Sequence, residues 1–460
     1  MSGGPSTPPG RPVPRTCWPS SVPAWAGPYR SRLHRLRGES PRSSAARIRT
    51  RPNRLASGAA TRHSPLVKIA HLADIHLGFR QFHRQTPAGI NQRETDVANA
   101  FRAAVDGVIR ARPDVVIIAG DLFHSVRPSN AAILFAFHQF QRLRETLPDA
   151  PVILVGGNHD TPRSTETGSI LELYTQLGVH VAAQQPLRLH FAELDLSVLA
   201  VSYEALMGSE RPVLRPDGSA QHQVLVLHRE IEGVLPVPRA SMLHEAGALL
   251  RQEDIGPKEW SYVALGHYHV QHEVAANEWY AGALEYVTMN PWGELQDESE
   301  RGLRGKGWLL VELDGNRVRA TRQPVPGARH LIDLDPLDAT GRSAEQLSAD
   351  IEARVRAPAA GLEGNIVRLV VRNVPRHIAR ELDHAAIRSY KAEALHFHLD
   401  LRRPEASRRV GVGGPGRRQT LPEQVEDYLT RRPLPAEIDR AAFVRAGLDL
   451  IEATERELAE

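Results

Sequence analysis

The stretch Ile69-Ala-His-Leu-Ala-Asp-Ile-His-Leu-Gly78 decides the fold. Its first half is an apolar run suited to a buried strand, and its second half carries a carboxylate and an imidazole two residues apart. Side chains two apart on a strand share a face, so Asp74 and His76 are expected to leave the strand's C-terminal tip together. Such a pair is half of a metal site, and the other half must come from elsewhere in the chain.

Downstream, the same strand pattern recurs between helices. A helix is expected over 93–111, with Val97, Phe101, Ala104, Val105 and Val108 on one face. A strand over 114–119, a helix over 130–147, a strand over 152–155 and a helix over 167–177 follow. Apolar strands alternating with helices predict a largely parallel sheet covered on both faces. Shorter strands at 187–190, 194–201, 224–227, 262–265, 273–276 and 308–313 predict a second sheet packed on the first. Beyond about 325 come strands at 331–334, 366–372 and 394–401 around a helix at 344–355. The expected class is therefore α/β, with two packed mixed sheets flanked by helices, a small α+β capping domain and a C-terminal helix pair.

The domain plan has a main domain over 65–325, a cap over 326–401, a linker over 402–418 and the helix pair over 419–460. The linker is rich in Gly, Pro and Arg, with six Arg against Glu405. The expected helices at 422–431 and 440–458 flank Arg432-Pro-Leu-Pro435, and the second carries Phe443, Val444, Leu448, Ile451 and Leu458. Residues 1–64 are rich in Pro, Ser and Arg without hydrophobic periodicity, and read as a disordered leader. They also match the composition of an organellar transit peptide. The preferred reading is that translation starts at Val67, through an alternative bacterial start codon.

Charge and cysteine usage narrow the chemistry. The chain carries a formal +3, but residues 1–64 hold twelve Arg against Glu39 alone, which is +11 and leaves −8 for 65–460. Basicity thus belongs to the leader, and contact with nucleic acid must come from local clusters. The single cysteine is Cys17, so 65–460 contains neither disulfides nor thiolate ligands, as fits a reducing cytoplasm. No apolar run reaches membrane-spanning length. A metal site here must be built from His, Asp and Asn.

Such residues end four more expected strands. Gly120-Asp-Leu-Phe-His124 follows the strand at 114–119, and Gly156-Gly-Asn-His-Asp160 follows 152–155. His228 ends 224–227, and Gly266-His-Tyr-His269 ends 262–265. Binding groups in α/β sheets gather outside the carboxyl ends of strands. Two divalent ions sharing a carboxylate need such a set, and about 3.5–4 Å apart they clamp the attacking and leaving oxygens of a phosphoester. One imidazole outside the ligand set must protonate the leaving alkoxide. Each motif alone is usually a turn, a core histidine or a solvated surface; the ordered series at five strand ends is what points to metal chemistry.

This series, Asp-x-His, Gly-Asp, Gly-Asn-His-Asp, a lone His and Gly-His-x-His, resembles that of the calcineurin-like metallophosphoesterases. His71-Leu-Ala-Asp-Ile-His-Leu-Gly78 and Ala119-Gly-Asp-Leu-Phe-His-Ser-Val-Arg-Pro-Ser129 resemble, within that superfamily, the double-strand-break-repair nucleases, the SbcD family and its archaeal and eukaryotic meiotic-recombination counterparts. Gln81-Phe82-His83 and Tyr280-Ala-Gly-Ala-Leu-Glu285 agree more weakly, and the resemblance covers about 67–325. It implies a four-layer sandwich with Asp74, His76 and His269 on one metal, Asn158, His228 and His267 on the other, and Asp121 bridging. It implies that His159 stabilises the transition state or protonates the leaving 3′ oxygen, with Asp160 orienting His159 and His124 near the phosphate. It further implies manganese as the metal, DNA ends and single strands as substrate, an SMC-like ATPase of the SbcC type gripping the C-terminal helices, and a homodimer. Departures from the family pattern are Ala281, Ala283, Tyr286 and Arg229, none of them a ligand position. The expected function is a two-metal DNA exonuclease and endonuclease in break repair, acting in the cytoplasm. The alternatives are a phosphatase or nucleotide phosphodiesterase, or a non-enzymatic scaffold on the same fold.

Overall fold

The computed structural model describes residues 66–162, 168–208, 211–234, 250–327, 329–404, 421–432, 434 and 438–457. The leader and most of the linker lie outside the described residues.

Two six-stranded sheets form the body. The first has the order β12-β11-β1-β2-β3-β4, built from β1 (Val67–Leu72), β2 (Val115–Ala119), β3 (Val152–Val155), β4 (Val179–Ala182), β11 (Gly307–Asp314) and β12 (Arg317–Pro324). Strands β1 to β4 run parallel, and β11 closes against β1 antiparallel, with Ile69 opposite Val311. The second sheet has the order β5-β6-β7-β8-β10-β9. Its strands are β5 (Leu187–Phe191), β6 (Leu196–Val201), β7 (His222–His228), β8 (Tyr262–Gly266), β9 (His272–Ala275) and β10 (Glu278–Tyr280).

Strand alternation sorts the apolar side chains into layers. Ile69, Ile117, Ile153, Val198, Val224, Val226 and Tyr262 face one another in the core between the sheets. Their neighbours Ala70, Leu72, Val116, Ile118 and Leu154 face the other way, onto the helices Gln92–Ala111 and Asn130–Thr146. Leu225, Leu227, Val263 and Leu265 cover the outer face of the second sheet in a third cluster. The expected class of two mixed sheets flanked by helices is what the chain forms. Both long helices are capped from the sequence: the Asn91 side chain accepts from the Arg93 N–H, and that of Ser129 from the Ala132 N–H.

Three expectations need correction. The strand at 308–313 belongs to the first sheet, because β11 pairs with β1 rather than with the strands that precede it. The helix expected over 167–177 is wound as 3₁₀ over Ile170–Leu177. Leu171 and Tyr174, three apart, are its buried side chains, the spacing that a three-residue turn keeps on one face. Lastly, β1 ends at Leu72, so Asp74 and His76 do not project by strand alternation; both sit beyond it in left-handed backbone, at φ 50° and 54°.

Beyond β12, a parallel sheet β13-β14-β15 is formed by Leu331–Asp338, Ile366–Arg372 and His396–Leu401. Helices Ala344–Arg356, Arg376–Glu381 and His384–Glu393 accompany it, and Leu347, Ile351, Val367, Leu369 and Phe397 share its core. The C-terminal helices Leu421–Arg431 and Arg440–Glu457 lie against each other. The Arg440 guanidinium donates to the carbonyls of Thr430 and Arg432, satisfying the end of the first helix.

Candidate metal centre

Every ligand expected from the sequence lies just past the end of a core strand, or on its last residue. The loop after β1 carries Asp74 and His76, the loop after β2 carries Asp121 and His124, and the loop after β3 carries Asn158, His159 and Asp160. His228 is the last residue of β7, and His267 and His269 follow β8. Parallel β1, β2, β3 and parallel β7, β8 deliver these ends to one edge of the sandwich.

The backbone there is held tightly. Asp74 N donates to the Gly120 carbonyl at 3.1 Å and His76 N to that of Asp121 at 2.9 Å, so the first two loops form one unit. Asp121 and His267 adopt φ of 49° and 99°, as strained as Asp74 and His76. Non-glycine residues in left-handed backbone gather at functional sites, where the surrounding structure enforces them. Close approach also explains two glycines. A side-chain carbon at Gly157 would collide with Asp121, and one at Gly266 with the Ala119 carbonyl.

The side chains converge. The Asp121 Oδ2 lies 3.5 Å from His76 Nε2 and 3.3 Å from His228 Nε2, which puts this carboxylate between the two halves of the site. His269 Nε2 is 3.2 Å from His76 Nε2 and 4.0 Å from Asp74 Oδ1. Candidate ligand atoms of Asp74, His76 and His269 all lie within 4.8 Å of one another, and so do those of Asp74, Asp121 and His228. Asn158 Oδ1 stands 3.0 Å from His228 Nε2 and 3.2 Å from His267 Nδ1. The two groups share Asp74, and Asp121 lies against a nitrogen of each; His76 forms a third such group with His124 and His159.

The hydrogen bonds bear on what the site could hold. His228 Nδ1 donates to the Ala119 carbonyl at 2.8 Å, so in the neutral ring Nε2 carries the lone pair. Nε2 faces a carboxylate oxygen, an arrangement that favours a proton or a metal cation between them. Imidazoles, carboxylates and an amide oxygen without thiolates suit a divalent first-row ion. Burial and neighbouring cationic rings set the protonation. Burial holds His76 well below its ordinary range, His267 at about 3 and His124 at about 4. For His228, burial opposes charge but the Asp121 carboxylate overcomes it, raising the ring to about 9. Burial opposes charge on Asp121 as well, yet His228 and His76 beside it hold the carboxyl well below its usual range.

His124 and His159 lie at the edge of this cluster. Their rings stack at 5.2 Å, and His124 Nδ1 is 3.3 Å from His76 Nδ1. His159 Nδ1 donates to the His124 carbonyl at 2.9 Å, and the His159 backbone N–H donates to Asp121 Oδ1. It is the His124 carbonyl, rather than Asp160, that orients the His159 ring. The Asp160 carboxylate instead accepts the backbone N–H groups of Leu122, Phe123 and Gly157 at 3.0 to 3.2 Å. It braces two ligand loops against each other. Residues 67–271 match the family model for calcineurin-like phosphoesterases.

The chain contains a calcineurin-like phosphoesterase domain. Its curated relatives include proteins named DNA double-strand break repair protein Mre11. That of Methanocaldococcus jannaschii is 26% identical over 257 residues, covering 54% of this chain and 63% of its own. That of Sulfurisphaera tokodaii is 28% identical over 259 residues, covering 54% and 60%. The Archaeoglobus fulgidus protein is 30% identical over 221 residues, covering 44% and 46%. The matches therefore span about half to three fifths of these relatives. Pseudomonas putida nuclease MPE superposes at a TM-score of 0.18 with 18% identity over 35% of this chain and 62% of its own, too little to bear on the fold.

The sequence reading did not foresee the layer behind His269. The helix Pro291–Glu300 brings Glu294 to 3.5 Å from His269 Nδ1, and Lys306 bonds Glu294 and Glu298. Against burial, Glu294 raises the His269 ring, while Lys306 draws Glu294 down to about 2. The only signal was acidic spacing, Glu294 and Glu298 one helical turn apart, which a solvated surface helix shows equally.

Proposed function

We propose that the protein is a metal-dependent phosphodiesterase that hydrolyses DNA as the nuclease subunit of a break-repair machine. The observation that carries this reading is Asp121, whose carboxylate lies within 3.5 Å of ligand nitrogens from both groups. The names of the relatives support DNA as substrate.

Asp74, His76 and His269 would hold one divalent ion and Asn158, His228 and His267 a second, with Asp121 shared. Bound there, the ions supply Lewis-acid stabilisation of phosphate charge and a lowered pKa for bound water, and manganese is the proposed metal. The chain's own residues then orient and move a proton. His159 has its Nδ1–H committed to the His124 carbonyl, so it is the doubly protonated ring that would give its Nε2 proton to the departing 3′ oxygen and return to the neutral tautomer. His124, half-buried and stacked on His159, is the group for a non-bridging phosphate oxygen. Asp160 keeps the loops of Asp121 and Asn158 in register.

The three-stranded unit is proposed as a cap over the substrate. It meets the phosphoesterase domain through Phe82 stacked on His396 at 3.9 Å and Arg368 over Trp292 at 4.8 Å. The C-terminal helices, with Tyr428 and Leu450 exposed, are proposed to dock an SMC-like ATPase, the whole working as a homodimer. Assay of linear duplex DNA against small phosphoesters, with manganese, tests the reading. Turnover of small esters alone would make the protein a phosphatase or nucleotide phosphodiesterase.

A further inference from the structure

His269 is gripped from behind by a buried charged cluster that is outside the ligand set. One edge of its ring faces the metal centre, with Nε2 at 3.2 Å from His76 Nε2. The opposite edge presents Nδ1 to Glu294 Oε1 at 3.5 Å. That oxygen is buried and makes no conventional hydrogen bond, while its sister Oε2 accepts from Lys306 Nζ at 2.5 Å. Lys306 Nζ also reaches Glu298 at 2.8 Å and donates to the backbone carbonyl of His269 at 3.0 Å. Glu298 is closed off by the Tyr286 hydroxyl at 2.7 Å, and Lys306 lies over the Tyr286 ring at 4.5 Å. Two carboxylates against one ammonium leave a buried negative charge directed at His269. A ring N–H is the donor within reach of the free oxygen.

We infer that Glu294 is a positioning residue for His269: its Oε1 accepts a hydrogen bond from Nδ1–H and fixes the tautomer that turns a bare Nε2 to a divalent cation, while Lys306 and Glu298 hold the carboxylate in place. The imidazole becomes a stronger donor when the N–H of its far nitrogen donates a hydrogen bond to a carboxylate, and loss of such a partner costs about 10–100-fold in metal affinity. Lys306 serves both ends, because it bonds the carboxylate that steers the ring and the backbone that carries it. This inference rests on the metal-centre reading above.

The test is calorimetric titration of the metal-free full chain with Mn2+. Wild type is expected to bind two ions. Glu294→Gln should weaken one of them by about 10–100-fold and leave the other unchanged, with the metal-free melting temperature within a degree or so of wild type. A merely structural carboxylate would shift the metal-free melting and leave both affinities alone, and that result overturns the inference. If wild type bound no Mn2+, the metal-centre reading would fall and the inference with it, a result distinct from two intact sites in the variant. Should Glu294→Gln not fold, nitrogen-15 NMR of Zn2+-loaded wild type decides, with the His269 signals assigned by their loss in His269→Asn. A proton on Nδ1 supports the inference, and a proton on Nε2 overturns it.

Discussion

Each residue at the centre has a task that a substitution can isolate. Removing the His159 ring should leave metal binding intact while slowing hydrolysis by about 10²–10⁴-fold, the usual worth of a positioned proton donor. Asp121→Ala should instead abolish both, since Asp121 lies against His76 and His228; Mn2+ titration beside a turnover assay separates the two. Asp160→Ala strips acceptors from the Leu122, Phe123 and Gly157 N–H groups. At about 1–3 kcal/mol for each buried donor left unpaired, the loss should be on the order of 3 kcal/mol or more, read from urea unfolding. His71 offers a pH signature away from the ligands. Its buried ring, bonded to the Tyr262 hydroxyl at 2.9 Å, is pushed by burial from 6.5 to about 3. The unfolded chain therefore takes up this proton first as the pH falls. The stability tied to neutral His71 is complete above 6.5 and drains away between there and about 3. His71→Phe should flatten the acid side of the stability curve by about one proton. At this scale the sequence was informative about which residues meet, because each motif follows an apolar strand. It was silent about how: the left-handed backbone at Asp74, His76 and Asp121, and the bracing role of Asp160, arise from contacts between loops 37 or more residues apart.

Among elements, the sharpest constraint is the approach of β8 to β2. Gly266 lies so close to the Ala119 carbonyl that a methyl group cannot fit without separating the strand ends. Gly266→Ala is expected to lose Mn2+ binding, and the soluble yield to fall, because His228 donates to the same Ala119 carbonyl and His267 directly follows Gly266. A second constraint joins the three-stranded unit to the phosphoesterase domain. Arg329 pairs with Asp96 on the first helix, its backbone N–H donates to Glu285, and its guanidinium reaches the Gly364 carbonyl. Arg329→Ala should loosen this junction and raise amide exchange over β13 and β14, leaving β1 to β3 protected. Continuous apolar runs along β1, β2, β7 and β8 made the sheets readable in advance, since these strands are buried on both faces. The place of β11 was not readable. Nothing in the local pattern of Trp308–Leu313 distinguishes pairing with β1 from pairing with its sequence neighbours. The helix Pro291–Glu300 was missed for a related reason: its buried face is Trp292 with Glu294, Asp297 and Glu298, which reads as polar surface until Lys306 and Tyr268 are seen to meet it.

For the whole molecule, strand ends from both sheets share one centre, so cation binding should stabilise the fold as well as enable chemistry. A metal-binding native state gains RT ln(1 + [L]/Kd), about 2.7 kcal/mol at a hundredfold excess over Kd. A chelator should therefore lower the melting temperature and Mn2+ restore it, an effect absent in Asp121→Ala. No helix among the described residues is long and apolar enough to cross a membrane. The measurement that bears most directly on the account is hydrolysis of linear duplex DNA by the full chain, with Mn2+ and with chelator, for wild type and His159→Ala. The account predicts cleavage by wild type only with the metal, and a loss of about 10²–10⁴-fold in a variant that still binds Mn2+. Metal-loaded wild type that leaves DNA intact, or His159→Ala cutting at the wild-type rate, would contradict it.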